Sequence, residues 1–266
     1  MRLGTGTIAV VTGAASGIGR ALATTLAARG CTVAGVDRDG DALADVALAS
    51  RHVADVADAA AMRALAADVV ARHGGVALLV NNAGVSVAGP FERVPLDDLR
   101  WIMGVNFWGV VHGCEAFLPH LRRAPTGWII NVASDFALVG CPTKTGYCAS
   151  KFAVRGFSEA LRAELYGSSI GLTVAYPGAT DTAIVRRGRV VDTNAQAAEA
   201  RLLARGRAPE AVAAAIVRAV ERGRGRVLVG SETRLADLAS RLAPAWTNAL
   251  VARVRDRVPF LRLAPR

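Results

Sequence analysis

The stretch Thr7-Ile8-Ala9-Val10-Val11-Thr12-Gly13-Ala14-Ala15-Ser16-Gly17-Ile18-Gly19 passes from a β-branched apolar run into a glycine loop. A helical pattern over Arg20 to Arg29 follows at once. The run is read as a buried first strand. A strand that opens through glycines onto a helix N-terminus makes an anion site. The glycines let the backbone approach a phosphate, and the free N–H groups and the helix dipole face it. The spacing is G-x-x-x-G-x-G rather than the commoner G-x-G-x-x-G.

Working outward, Gly30 closes the helix and Thr32 to Val36 forms a second strand that ends at Asp37, eighteen residues after Gly19. An acid at that strand end is placed to accept hydrogen bonds from ribose hydroxyls and to repel a 2′-phosphate. Arg38 follows directly and softens the repulsion. Asp41 to Leu48 reads as a short helix, Arg51 to Val53 as a strand leading to Asp55-Val56, and Ala57 to Arg72 as an alanine-rich helix. Val76 to Val80 is a fourth strand, followed by Asn81-Asn82-Ala83-Gly84. Asp97 to Arg122 reads as one long amphipathic helix carrying Asn106, and Trp128 to Val132 as a fifth strand ending at Ala133-Ser134. A helix to about Tyr166, a strand over Leu172 to Ala175, a helix over Pro209 to Glu221 and a strand over Arg226 to Val229 complete the pattern. Residues 183–207 are polar and weakly patterned and are expected to form a mobile flap over a pocket. Strands alternating with helices at this spacing imply an α/β fold. It is a Rossmann-type, doubly wound parallel sheet of about seven strands with helices on both faces. Ligands then sit at the carboxyl ends of the strands, where Gly13, Asp37, Asp55 and Asn81 fall.

Composition narrows the function. The chain has 266 residues, of which 52% are hydrophobic, enough for one substantial core over residues 1–230. Four cysteines without metal-ligating spacing read as reduced thiols of a cytoplasmic protein, and no metal site is expected. Ile8 to Val11 is strand-length rather than a signal peptide, and no uncharged apolar run is long enough for a membrane span. Of the net charge of +10, residues 201–266 supply +9, from fourteen arginines against five acids. The basic character therefore belongs to the C-terminal segment. No nucleic-acid module accompanies it, and nucleic acid is not expected as a partner.

In Gly146-Tyr147-Cys148-Ala149-Ser150-Lys151 a tyrosine and a lysine four residues apart share one helix face. A phenol ordinarily titrates near ~10. An ammonium beside it lowers that value and makes the phenol usable as a general acid/base. Lys144 and Lys151 are the only lysines among 32 Lys+Arg, so a compact point charge stands out here.

Taken together, T-G-A-A-S-G-I-G at Thr12 to Gly19, Asp37, D-V at Asp55-Val56 and N-N-A-G at Asn81 to Gly84 resemble the short-chain dehydrogenase/reductase family. N-V-A-S at Asn131 to Ser134, Y-C-A-S-K at Tyr147 to Lys151 and P-G-A-T-D-T at Pro177 to Thr182 continue the resemblance, which covers roughly residues 4–230. It implies hydride transfer between a nicotinamide cofactor and a secondary alcohol or ketone, and the mostly apolar residues around Val85, Phe136 and Leu138 favour a hydrophobic one. Tyr147 would be the acid/base. Lys151 would lower its pKa and hold the nicotinamide ribose. Ser134 would bind the substrate oxygen, and Asn106 would hold a water of a proton relay. For the cofactor, the resemblance implies Gly13, Ser16, Gly17, Ile18 and Gly19 at the pyrophosphate and Asp37 with Arg38 at the adenosine ribose. Asp55-Val56 would meet the adenine, and Asn82, Ala83 and Gly84 would lie along the adenosine side. Pro177, Gly178, Thr180 and Thr182 would be at the nicotinamide. NAD is the expected cofactor, with NADP the alternative. A dinucleotide-binding regulator without chemistry is the competing reading. The family also implies a homodimer or homotetramer built on the helices that carry Asn106 and Tyr147.

Two features exceed the family pattern. Asp135 follows Ser134 and is expected either to point into solvent or to meet a polar or cationic substrate. The basic extension 231–266 places Leu235, Leu238, Leu242, Leu250, Val251, Val254 and Val258 near helical spacing among arginines. It would pack on its own domain, cover the pocket, join an oligomer, or lie on an anionic membrane. Val85, Asp135, Phe136, Leu138 and Cys141 are expected to line the substrate pocket.

Overall fold

The computed structural model describes residues 1–258 and Leu261. The last part of the C-terminal extension, 259, 260 and 262–266, lies outside the described residues. Strand β1 (Ile8–Thr12) leads through the glycine loop into α1 (Gly17–Ala28). Then come β2 (Thr32–Asp37), α2 (Gly40–Ala44), β3 (Ser50–Val53), α3 (Ala59–His73) and β4 (Leu78–Asn81). After a short β5 (Val87–Ala88), α4 (Leu96–Met103) and α5 (Gly109–Leu121) precede β6 (Gly127–Val132). The rest is α6 (Thr145–Glu164), β7 (Ile170–Pro177), β8 (Arg189–Val190), α7 (Thr193–Leu203), α8 (Pro209–Glu221), β9 (Arg226–Val229), α9 (Ser231–Leu242) and α10 (Pro244–Val254).

Seven strands form one parallel sheet in the order β3-β2-β1-β4-β6-β7-β9, as the alternating pattern predicts. The order reverses between β1 and β4, so the crevice at their carboxyl ends opens beside Gly13 and Asn82. Alternation along β1 shows why both faces must be covered. Val10 packs with α3, α5 and α6 through Val69, Phe117 and Val154. Ala9 and Val11 pack on the opposite face with Leu22 and Leu26 of α1 and Ile216 and Val220 of α8. A sheet buried on both faces needs apolar residues at successive positions, which β4 and β6 supply.

The structure differs from the sequence reading in several places. The helix expected over Asp97 to Arg122 is broken by a π-helical turn, Gly104–Trp108, centred on Asn106. The helix predicted over Asp41 to Leu48 stops at Ala44, after which Val46 and Leu48 turn back onto the core. The flap 183–207 is not wholly irregular: it contains α7, capped by Asp192, whose Oδ1 accepts from the N–H groups of Asn194 and Ala195. In the extension, α9 is inverted. Thr233 and Asp237 are buried against the domain, with Asp237 paired to Arg226, while Leu235, Leu238 and Leu242 point outward at 67%, 55% and 76% exposure. Trp246 and Leu250 of α10 are also exposed. The extension therefore buries Thr233, Asp237, Thr247 and Leu261 while leaving Leu235, Leu238, Leu242 and Leu250 outward. Among the described residues no helix is long and apolar enough to cross a membrane.

Candidate active site

The carboxyl ends of β1, β2, β4, β6 and β7 open into one cavity of about 340 Å³. At its floor the chain must come close to itself. A side chain on Gly19 would lie 2.0 Å from the Gly13 carbonyl oxygen, and one on Gly13, whose φ is +68°, would lie 2.8 Å from Asn82 Nδ2. Only glycine fits, and the loop curls so that α1 starts at Gly17 facing the cavity. The Ser16 hydroxyl does not cap α1 and there is no acid in its first turn, so the site keeps its positive end for an anion. Asn82 serves the loop from behind, its amide donating to the Thr12 carbonyl at 3.0 Å. Thr12 Oγ1 in turn accepts from the N–H groups of Asn82 and Ala83.

Asp37 ends β2 on the cavity wall. Its Oδ2 accepts from Ala15 N at 3.0 Å and its Oδ1 from Asp39 N at 3.1 Å, which fixes the carboxylate and leaves a lone pair on each oxygen for a ligand. Arg38 lines the cavity beside it. Asp55 and Val56 line the same end, with the Asp55 carboxylate held by Ala57 N at 2.9 Å. Of the other residues predicted for the cofactor, Gly13, Ser16, Gly17, Ile18, Asn82, Ala83 and Gly84 line the cavity. Pro177, Gly178, Thr180 and Thr182 do so from the end of β7. Gly19 lies beneath the loop rather than on the wall. These groups fit a dinucleotide: a glycine cradle that any Cβ would fill, a helix N-terminus, and a fixed carboxylate one strand away.

At the other end of the cavity, Ser134 leaves β6 and Tyr147 and Lys151 project from α6. Lys151 is buried and its Nζ donates to the Val132 carbonyl at 3.0 Å, 5.9 Å from the centre of the Tyr147 ring. Desolvation lowers the Lys151 ammonium to about 8. Loss of water around the Tyr147 hydroxyl drives its pKa up, and hydrogen bonding with Ser134 opposes the rise. Burial therefore favours the protonated phenol. Desolvation is the largest influence on it, and the Lys151 ammonium, 5.9 Å from the ring centre, is not among the groups that shift it most. Phe136 packs edge-on against Tyr147, with ring centres 5.7 Å apart.

Asn106 is fully buried behind this wall. Its Oδ1 accepts from Val85 N at 2.8 Å, and its Nδ2 donates to Val85 O and Ser150 Oγ, each at 3.0 Å. The side chain thus pins the loop after β4 to α6. Asn81 and Asn131 are likewise structural: Asn81 donates to Asn131, and Asn131 to Ser158.

Asp135 does not point away into solvent. It lines the cavity, its Oδ1 accepting from the Ser134 hydroxyl at 2.8 Å and from Phe136 N at 3.0 Å. Desolvation raises its carboxyl to about 6. Val85 and Phe136 line the cavity as predicted, but Leu138 faces the core and Cys141 lies off the wall. Sequence reasoning missed a pair that closes the cavity. Lys144, at the head of α6, meets Glu199 of α7 at 2.5 Å, both nearly out of solvent. Lys144 follows Thr143, whose φ of +64° is unusual for a β-branched residue. The rarity of lysine was the one signal for it.

Comparison with known proteins agrees with this geometry. A family model described as short chain dehydrogenase matches residues 7–191. The putative oxidoreductase SadH of Mycobacterium tuberculosis is 39% identical over 260 residues, spanning 93% of this chain and 94% of that protein. Among solved structures, a short chain dehydrogenase/reductase from Burkholderia phymatum in complex with NAD superposes with a TM-score of 0.82 at 29% identity, covering 100% of this chain and 98% of that one. One from Burkholderia cenocepacia in complex with NADP superposes at 0.80 and 28%, covering 96% and 99%.

Proposed function

The chain belongs to the short-chain dehydrogenase family, and from that premise we propose an oxidoreductase that moves a hydride between a nicotinamide cofactor and a secondary alcohol or ketone. The observation that carries this reading is that Ser134, Tyr147 and Lys151 share one cavity with the glycine cradle and Asp37. The bound cofactor supplies the hydride chemistry. The chain supplies position and the proton. Tyr147, kept protonated by its surroundings, is ready to donate to a carbonyl oxygen in reduction. Taking a proton from an alcohol in the reverse direction relies on the ammonium of Lys151 nearby. Ser134 would accept or donate at the same oxygen. The hydrophobic wall formed by Val85, Phe136, Ile184 and Val185 favours an apolar alcohol or ketone. A complete acid/base set argues against a regulator that binds dinucleotide without chemistry, and NADH oxidation across a panel of aliphatic ketones tests the choice.

Asp37 supports NAD over NADP, because its carboxylate suits ribose hydroxyls and repels a 2′-phosphate. Fluorescence titration is expected to show NADH binding at least about tenfold more tightly than NADPH, and Asp37→Ala is expected to remove most of that ratio. An unchanged ratio in the variant would show that Asp37 is not the selector.

The free thiols support a cytoplasmic protein. Half-exposed Trp108 and Phe152, on the π-turn and on α6, support a homodimer or homotetramer through those helices. The outward leucines of α9, with Trp246, Leu250, Arg253 and Arg257 of the following segment also exposed, support peripheral contact with an anionic membrane. Co-sedimentation with phosphatidylglycerol vesicles, but not with phosphatidylcholine alone, is expected. It should be lost in Leu238→Ser/Leu242→Ser. Failure to bind either vesicle sinks the membrane reading.

A further inference from the structure

We propose that Asp135 recognises a hydrogen-bond donor on the carbon next to the reacting one, so that the substrate carries a vicinal amine or hydroxyl on an otherwise apolar body. This rests on the oxidoreductase reading for which oxygen reacts. Ser134 is the group that would hold that oxygen, and Asp135 Oδ1 lies 2.8 Å from Ser134 Oγ. Heteroatoms on adjacent carbons sit at about hydrogen-bond spacing. A ligand whose oxygen meets Ser134 therefore brings its neighbouring amine or hydroxyl to Asp135.

The carboxylate has capacity to spare. Oδ1 accepts from the Ser134 hydroxyl and Phe136 N, the residue's own N–H also acts on the carboxylate, and Oδ2 takes no hydrogen bond from another described residue. An ionised carboxylate offers about four acceptor sites. No described cation pairs with it. Lys144 is committed to Glu199 and Arg207 to Glu232, and Asp135 makes no ion pair with a described residue. The charge that acts on it most is Glu232 of α9, of the same sign. Tyr147 and Cys148 of α6 and Cys141 of the preceding loop also feel its charge, and none of them is cationic. A desolvated carboxylate without a counter-charge is costly, and a donor on the ligand removes the cost. Desolvation is the largest cause of the rise of this carboxyl to about 6. The rest of this wall, Val85, Phe136, Ile184, Val185, Leu202 and Leu203, suits an alkyl remainder.

The test uses the full chain loaded with NADH, which cannot accept a hydride, and calorimetric titration with three alcohols of equal chain length: a plain secondary alcohol, the vicinal diol and the vicinal amino alcohol. The amino alcohol is expected to bind about tenfold to a hundredfold more tightly than the plain alcohol, the span of a charge-assisted hydrogen bond, with the diol between them. Asp135→Ala is expected to collapse both ratios, and Asp135→Asn to collapse only that of the amine. In the wild type the advantage of the amine should fade as pH drops through about 6, because the neutral carboxyl no longer attracts an ammonium. Equal binding of all three alcohols, or ratios that survive Asp135→Ala, overturns the proposal and leaves Asp135 as a partner of Ser134 only. Dehydrogenation of the same alcohols with the oxidised cofactor is read separately. Donor-selective binding without turnover would uphold the role of Asp135 while refuting the oxidoreductase reading.

Discussion

Tyr147→Phe is expected to lower turnover of any alcohol or ketone substrate by about three orders of magnitude while leaving cofactor affinity within a few-fold. The substitution removes one hydroxyl and keeps the ring that packs edge-on against Phe136, so the wall of the cavity stays in place. The cofactor cradle is built from other elements, the loop after β1 and the end of β2, and does not depend on that oxygen. What disappears is the proton. No other titratable hydroxyl replaces it, because Ser134 has far too high a pKa and its hydrogen is already given to Asp135. Stopped-flow or steady-state rates with both cofactors, alongside cofactor titration of the same preparation, check the result. Turnover close to wild type would remove Tyr147 as the acid/base. Loss of cofactor binding in parallel would show that the tyrosine shapes the site and does not only serve it.

The parts of this protein that were legible in sequence are those where one physical requirement dominates. The glycine loop must be read as a cradle because Gly13 and Gly19 leave no room for a Cβ. The helix over Pro209 to Glu221 and the strand over Arg226 to Val229 stand where they were expected, since proline suits a first helical turn and a short apolar run between arginine-rich turns has few other homes. The π-turn at Asn106 was not legible. Apolar periodicity runs through it unbroken, and the wider turn becomes necessary only once the amide has to reach Val85 and Ser150 together. Asp135 misled for a related reason. A carboxylate after a strand end is normally solvated, and only the fold reveals that Ser134, Phe136 and Tyr147 enclose this one. Helix α7 escaped because its inward face carries a charge. The buried side chain that docks it is Glu199, which any hydrophobic pattern places outside.

That charge makes the second large effect. Lys144→Met alone, or Glu199→Leu alone, is expected to destabilise the protein by about 3–5 kcal/mol, because each strands the opposite charge in a desolvated wall. For a chain of this size the midpoint of thermal unfolding should fall by about ten degrees. The pair is short, at 2.5 Å, and its two side chains are only 2% and 7% exposed, so water does not screen it. It also joins two elements that little else connects: the head of the helix carrying Tyr147, and α7, whose buried member is Glu199 itself. Breaking it should free the segment over 183–207 before the sheet unfolds, which limited proteolysis would register as early cleavage there. The double variant Lys144→Met/Glu199→Leu restores an uncharged contact of similar bulk and is expected to recover most of the lost stability. Single variants within about 1 kcal/mol of wild type and no more sensitive to protease would mean that α7 is held by its flanking loops instead. In that case the isolated bridge between Thr180 and Arg207, where Arg207 N donates to Ala179 O at 3.0 Å, becomes the point at which the segment is anchored.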